Sequence, residues 1–292
     1  MQSPAVTESP SLTAEAVCFL RAAEQRRPKG RRILDDPYAR WFLGPLFAPL
    51  LAALELAGPL ATAVEDRFAG LSTWVPLRHR FIDDGLAAAI DEGAAQVAIL
   101  GAGYDTRALR FAGALEGRPV FELDFPSTSR RKGSILDAHR DELPRVDLRR
   151  VEIDFLSQRL GDALAGAGFE ANRPTFFAWE GVSMYLTRDA VEQTLADVRR
   201  LGAPGSLLAM DFWHYVDTPG LLGAAYRAAP GLLTLVGESI TLSVHPRDVA
   251  SLMSGAGFDV VEQAAGDELA RRYGAAGRRV DPANHVVLAR SA

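Results

Sequence analysis

Three short stretches carry residues suited to holding a nucleoside. Gly101-Ala102-Gly103 follows the apolar run Val97–Leu100 directly. Glycine lets a backbone turn sharply and lets a ligand approach with no Cβ in the way. About 20 residues later, where an acid can accept hydrogen bonds from ribose hydroxyls, the next apolar run ends in Asp124. Glu180 closes a third run, Thr175–Trp179. A carboxylate in that place needs a cationic partner or costs several kcal/mol. A glycine pair alone is a weak signal; with Asp124 at this spacing it points to an adenosine-containing cofactor.

The sequence around the loop narrows the choice. The dinucleotide fingerprint calls for a third glycine where Thr106 stands. A pyrophosphate rests on a helix N-terminus, and the pattern predicts a helix over 104–116 with Asp105 in its first turn. A carboxylate there repels phosphate, although it also favours the helix dipole whatever the ligand. S-adenosylmethionine has adenosine, a sulfonium and an amino-acid tail but no phosphate, so it avoids the conflict. An NAD-dependent oxidoreductase is correspondingly disfavoured.

These residues need a scaffold that brings strand ends together. Apolar runs at 97–100, 120–123, 148–153, 175–179 and 207–211 alternate with helical patterns at 127–142, 157–167 and 187–201. Such alternation implies parallel βαβ units. A helix at 246–256 and the runs FDVVEQ and NHVVLAR complete the pattern. Residues 13–90 read as an N-terminal helical cap, residues 1–12 as a disordered tail, and about 213–245 as an apolar, glycine-rich helical lid. Leu43–Leu60 is apolar enough to mimic a membrane span, but Pro45, Pro49 and Pro59 break a spanning helix; short, packed helices are expected. The chain has 292 residues, a net charge of -5 and one cysteine, Cys18. That balance gives no general basic surface for nucleic acid, and a single thiol forms no internal disulfide. Cys18 is expected to be buried. No secretory signal is visible, so a cytoplasmic location is expected.

Four motifs in order, LDDPYARWF (34–42), LGAGYDTRALRF (100–111), FELDFPSTSRRK (121–132) and WEGVSMYL (179–186), resemble the leucine carboxyl methyltransferase family. The bacterial branch with polyketide carboxyl O-methyltransferases of the tetracenomycin type is the most similar in flavour. The resemblance spans roughly residues 13–212. It implies an α/β fold: a class I methyltransferase, Rossmann-like seven-stranded sheet whose last pair is antiparallel, with the helical cap and lid. It also implies roles. Gly101, with Ala102 and Gly103, would pass beneath the methionine part of S-adenosylmethionine. Asp124, followed by Phe125, would hold the ribose. Asp154 and Phe155 would flank the adenine, and Glu180 would hold the ammonium. Arg78 would bind the carboxylate and face the substrate, Tyr185 would line the acceptor pocket, and Arg21 would reach the cofactor tail from the cap.

Several of these residues also have plain structural readings. Arg78 and Arg80 with Asp83 and Asp84 fit a surface charge cluster, Tyr185 a core position, and Asp154 a helix N-cap. Asp36-Pro37-Tyr38 reads as a helix entry, and Arg130-Arg131-Lys132 as a solvated helix face. The five histidines show no metal-ligand spacing. A carboxylate acceptor is ionised at neutral pH and needs no base; a phenol needs one, and His214 is the residue nominated for it. The leading expectation is therefore carboxyl O-methylation of a small acidic, polyketide-like metabolite by a monomer or homodimer, with no membrane or nucleic-acid partner. A phenol O-methyltransferase, a non-methylating or rearranging protein on the same scaffold, and a methyltransferase acting on a protein C-terminus are the alternatives.

Overall fold

The computed structural model describes residues 11–155, 157–216 and 240–292. Seven strands form where the apolar runs place them: β1 (Gln96–Leu100), β2 (Val120–Asp124), β3 (Leu148–Glu152), β4 (Thr175–Trp179), β5 (Leu207–Trp213), β6 (Phe258–Ala265) and β7 (Asn284–Ser291). They make one sheet in the order β3-β2-β1-β4-β5-β7-β6. β1 to β5 are parallel, and β7 runs antiparallel between β5 and β6. Leu100 lies opposite both Leu123 and Trp179. Gly101, Asp124 and Glu180 therefore leave the sheet side by side at its carboxyl edge. The strand order reverses between β1 and β4, which is where open parallel sheets bind ligands.

The helices are α1 (Leu12–Glu24), α2 (Phe47–Phe68), α3 (Gly70–Asp91), α4 (Arg107–Arg110), α5 (Pro126–Ala138), α6 (Leu160–Ala165), α7 (Arg188–Leu201), α8 (Val249–Gly255) and α9 (Gly266–Arg272). Continuous apolar strands must be covered on both faces, and two helical layers do so. Ile99, Phe176, Ala178 and Ala209 share a buried cluster with Leu77, Phe81 and Leu86 of α3. Phe177, Trp179, Met210 and Phe212 share the other with Val191, Leu195 and Val198 of α7. Those three α7 positions recur at helical spacing. The Thr187 hydroxyl caps that helix, accepting from Ala190 N at 3.2 Å.

Three expectations change. The helix predicted over 104–116 is only the single turn α4 followed by turns. Residues 1–10 and 217–239 lie outside the described residues, so most of the expected tail and lid is not part of this description. Ser11 is the N-cap of α1, and α3, placed with the cap by its helical pattern, packs against β4, β5 and β7.

The third change concerns the apolar stretch at 43–60. It forms part of α2, broken at Gly58 (φ 56°) before Pro59, and only Leu51 of that helix is buried. Leu56 is 91% exposed and Leu60 73%, so the expected break into shorter helices forms at Gly58-Pro59, but the expected packing does not. The acids of α2 explain how it is held instead. Glu55, Glu65 and Asp66 face Arg40, Arg26 and Arg27, which tethers one edge of the helix while its apolar outer face stays in solvent. Leu195→Ala is accordingly expected to cost about 2–5 kcal/mol in urea denaturation, and Leu56→Ala less than about 0.5 kcal/mol. Equal losses would place Leu56 in a packed surface and contradict this description of α2.

Candidate active site

The glycine loop is tight for identifiable reasons. Gly101 has φ 65°, a region side chains rarely adopt, and a Cβ there would lie 2.2 Å from Val182 Cγ2. Gly103 has φ 48°, with Ala14 of the cap against it. Asp124 accepts hydrogen bonds from Gly103 N and, at 2.6 Å, from Phe125 N. Burial pushes the Asp124 carboxyl up, opposed by those two N–H groups and by Lys132. No basic side chain forms an ion pair with it among the described residues.

Asp105 behaves differently from the expectation. It is buried and paired with Arg107, whose backbone N also donates to it at 2.6 Å. Arg107 therefore offsets its charge locally. The four residues of α4 in addition give little of the aligned dipole that a pyrophosphate needs.

Beside the loop lies a buried network of charges. The Glu180 carboxylate meets Arg78 Nε and His79 Nδ1 at 2.6 Å each on one oxygen, and Arg107 Nη2 at 2.8 Å on the other. Arg78 Nη1 also reaches Asp211 at 2.7 Å, and Arg107 Nε reaches Asp83 at 2.7 Å. Arg110 shares Asp83. Burial alone would raise the Glu180 carboxyl; His79, Arg78 and Arg107 outweigh it and hold it well below its ordinary range. Burial in turn pushes the His79 imidazole below its ordinary value, against the opposing pull of Glu180. His79, Asp105 and Glu180 offer ligand atoms within 4.8 Å of one another, a constellation that sequence spacing did not reveal. Arg107 contacts both carboxylates, so a guanidinium already neutralises that position. The network then holds Arg78, Arg107 and Arg110 against Asp83, Asp105, Glu180 and Asp211: three cations and four carboxylates.

The remaining expected residues are spread around this centre. Arg21 is buried and donates to Asp36 at 2.7 Å, to Tyr104 O at 2.6 Å and to Thr106 Oγ1 at 3.3 Å. Those contacts tie the cap to the glycine loop. Asp154 accepts from Ser157 Oγ at 2.7 Å, and Phe155 packs against the α7-side core. Tyr185 packs in a small cluster with Met184, Trp213 and Ile240. His214 lies beyond β5, its ring 5.3 Å from that of His245 and 5.5 Å from that of His285. Burial, then His245, pushes its imidazole down. The proposed surface cluster splits: Arg80–Asp84 is exposed, whereas Arg78 and Asp83 are buried. Lys132 is not on a solvated face; it is buried, 2.7 Å from Glu122 and donating to Asp105 O at 2.6 Å. Cys18 is buried as expected, its thiol pushed up to about 12 by burial. Sequence reasoning missed Asp211 and Arg107. Asp211 follows the apolar run Leu207–Met210, the same signal that singled out Glu180.

Glu180→Gln leaves its three partners without their shared anion and is expected to cost about 3–5 kcal/mol at pH 7. The folded-state pKa of Glu180 lies below its ordinary 4.5. Its contribution is thus complete above that value and is lost as pH falls through the folded value. Urea denaturation should show the gap between wild type and variant narrowing as pH falls below 4.5; a gap that stays constant contradicts the assignment.

Comparison with known proteins agrees with this geometry. The leucine carboxyl methyltransferase family model matches residues 14–199. A Parafrankia protein named "Putative S-adenosyl-L-methionine-dependent methyltransferase" is 36% identical over 68% of this chain, the match covering 62% of the relative's length. A protein of the same description from Streptomyces coelicolor is 32% identical over 85% of this chain and 82% of its own. Two crystal structures share the fold at 17% identity. One is a DUF574 family protein of Streptomyces avermitilis (TM-score 0.58, 93% of this chain and 100% of that one). The other is a "putative methyltransferase" of Thermobifida fusca (TM-score 0.56, 98% and 96%). With the seven-stranded order, the glycine loop and the family match in agreement, the chain belongs to the leucine carboxyl methyltransferase family.

Proposed function

We propose that the chain is an S-adenosylmethionine-dependent O-methyltransferase that esterifies a carboxylate of a small, polyketide-like acid. The observation that carries this reading is the charge count at the strand ends. The buried network has one more carboxylate than it has cations, and Asp124 adds a second uncompensated carboxylate beside the glycine loop. A dinucleotide would bring further negative charge to that place. A sulfonium with an ammonium group brings positive charge.

The proposed division of labour follows the positions. Gly101, Ala102 and Gly103 offer a backbone surface for the methionine part, and Asp124, followed by Phe125, takes the ribose. Asp154 and Phe155 flank the base. Arg78 and Glu180, 2.6 Å apart, present opposite charges side by side, as a zwitterionic tail requires. Arg21 acts through Tyr104 and Thr106 by fixing the loop to the cap. When bound, the sulfonium supplies an electrophilic methyl group whose C–S bond breaks as an acceptor oxygen bonds to the carbon.

For the rest, the chain's task is orientation, which supplies much of the rate in such displacements. A carboxylate acceptor brings its own lone pair and releases no proton, so no general base is required. Tyr185 and His214 are proposed to line the acceptor side. One observation supports phenol methylation as the second reading: His214 Nδ1 is buried without a hydrogen-bond partner among the described residues, which leaves a ring nitrogen open to an acceptor hydroxyl.

The test is product chemistry. The full chain is incubated with methyl-labelled S-adenosylmethionine and a panel of aryl carboxylic acids and phenols. The expected product releases labelled methanol in alkali, as a methyl ester does. An alkali-stable label selects the phenol reading, and an absence of S-adenosylhomocysteine with every acceptor contradicts both. Asp124→Ala is expected to weaken S-adenosylmethionine binding roughly tenfold or more in calorimetry; unchanged affinity would remove Asp124 from the site.

A further inference from the structure

Underneath α2 lies a cleft of about 860 Å³ to which the proposed reaction assigns nothing. This is within the range of about 300–1,000 Å³ typical of small-molecule sites. None of Gly101, Gly103, Asp124 and Glu180 lines it. Its roof is the inner edge of α2, with Leu51, Leu54 and the Gly58-Pro59 break; its floor and rim come from the end of α1 and the segment through Arg40.

The walls are chemically divided. Leu51 and Leu54 give an apolar side, while five arginines line the cleft against three acids. The acids are all engaged: Asp36 by Arg21, Glu55 by Arg40, and Asp66 by Arg27. Arg26 is committed to Glu65, and Arg32 to Asp35. Two guanidiniums retain donors. The Arg31 side chain makes no hydrogen bond or ion pair among the described residues, and Arg40 has a single 3.2 Å contact with Glu55, both of them well exposed. A chain with a net charge of -5 thus concentrates positive charge at the mouth of an apolar-roofed cleft. A guanidinium fork matches carboxylate and phosphate oxygens.

We propose that this cleft is a second binding site, separate from the glycine loop, for an amphipathic anion: an apolar chain or ring lying under α2, with its carboxylate or phosphate head on Arg31 and Arg40. The kink at Gly58 suits such a roof. A side chain grafted there would meet nothing within 4 Å, so the φ of 56° answers to the shape of the helix and not to crowding. Asp36 connects the two sites physically, since it lines the cleft and also accepts from Arg21 and Thr106 next to the glycine loop.

The experiment titrates dodecanoate, dodecyl phosphate and dodecyltrimethylammonium into the full chain by calorimetry. The expected result is a saturable one-to-one isotherm for at least one of the anions and none for the cation. Binding of dodecanoate alone identifies a carboxylate ligand, binding of dodecyl phosphate alone a phosphate monoester, and binding of both a head held by charge only. The double variant Arg31→Glu, Arg40→Glu is expected to weaken binding roughly tenfold or more. The exposed outer-face variants Leu56→Lys and Leu60→Lys are expected to leave it unchanged, and saturating S-adenosylmethionine is expected not to displace the anion. Equal binding of the cation, binding that survives the arginine variant, loss in the outer-face variants, or displacement by S-adenosylmethionine each overturns the proposal.

Discussion

The constraint on which the rest depends is the buried carboxylate of Glu180. It leaves β4 at the edge of the sheet and is held by Arg78 and His79 of α3 and by Arg107 of α4. A lone carboxylate in that place would be very costly, and its three partners would be costly without it. The pairing fixes α3 to the carboxyl ends of β4 and β5 and brings the turn after the glycine loop against both. Replacing such a network with apolar side chains is often neutral for stability, so its value lies in position and charge. It sets four acids and three arginines beside the glycine loop and leaves the balance negative.

A second set of contacts carries that geometry outward. Arg21 of α1 joins Asp36 to Tyr104 and Thr106, so the cap and the glycine loop share one buried ion pair. Lys132 of α5 joins Glu122 of β2 to the carbonyl of Asp105. The loop is thus gripped from the cap, from β2 and from α3, while its own glycines supply only the turn. Ala14 against Gly103 closes the arrangement from above. Small residues in a loop and charged struts behind it are what a preorganised site requires.

The sheet was legible because parallel strands covered on both faces read as short apolar runs with helical stretches between them. The glycine pair, the acid ending β2 and the acid following β4 were legible because each closes such a run. Other features depend on contacts that no local pattern records. Arg78 and Asp211 are separated by 133 positions, and Arg107 and Asp83 by 24, so neither pairing leaves a trace in spacing. Lys132 reads as solvated beside Arg130 and Arg131, yet the twist of α5 turns it alone onto Glu122. The stretch from Phe47 reads as packed because it is apolar, but its acids bind arginines on one edge and leave the leucines outside. Asp211 is the exception: it ends its run as Glu180 does and was readable by the same rule.

The central claim is that the strand ends select a cationic, phosphate-free nucleoside because their charge is left negative. Calorimetric titration of the full chain with S-adenosylmethionine and, separately, with NAD tests this most directly. Saturable binding of S-adenosylmethionine and no detectable binding of NAD are expected. Binding of NAD with equal or greater affinity, or no binding of S-adenosylmethionine, would contradict it.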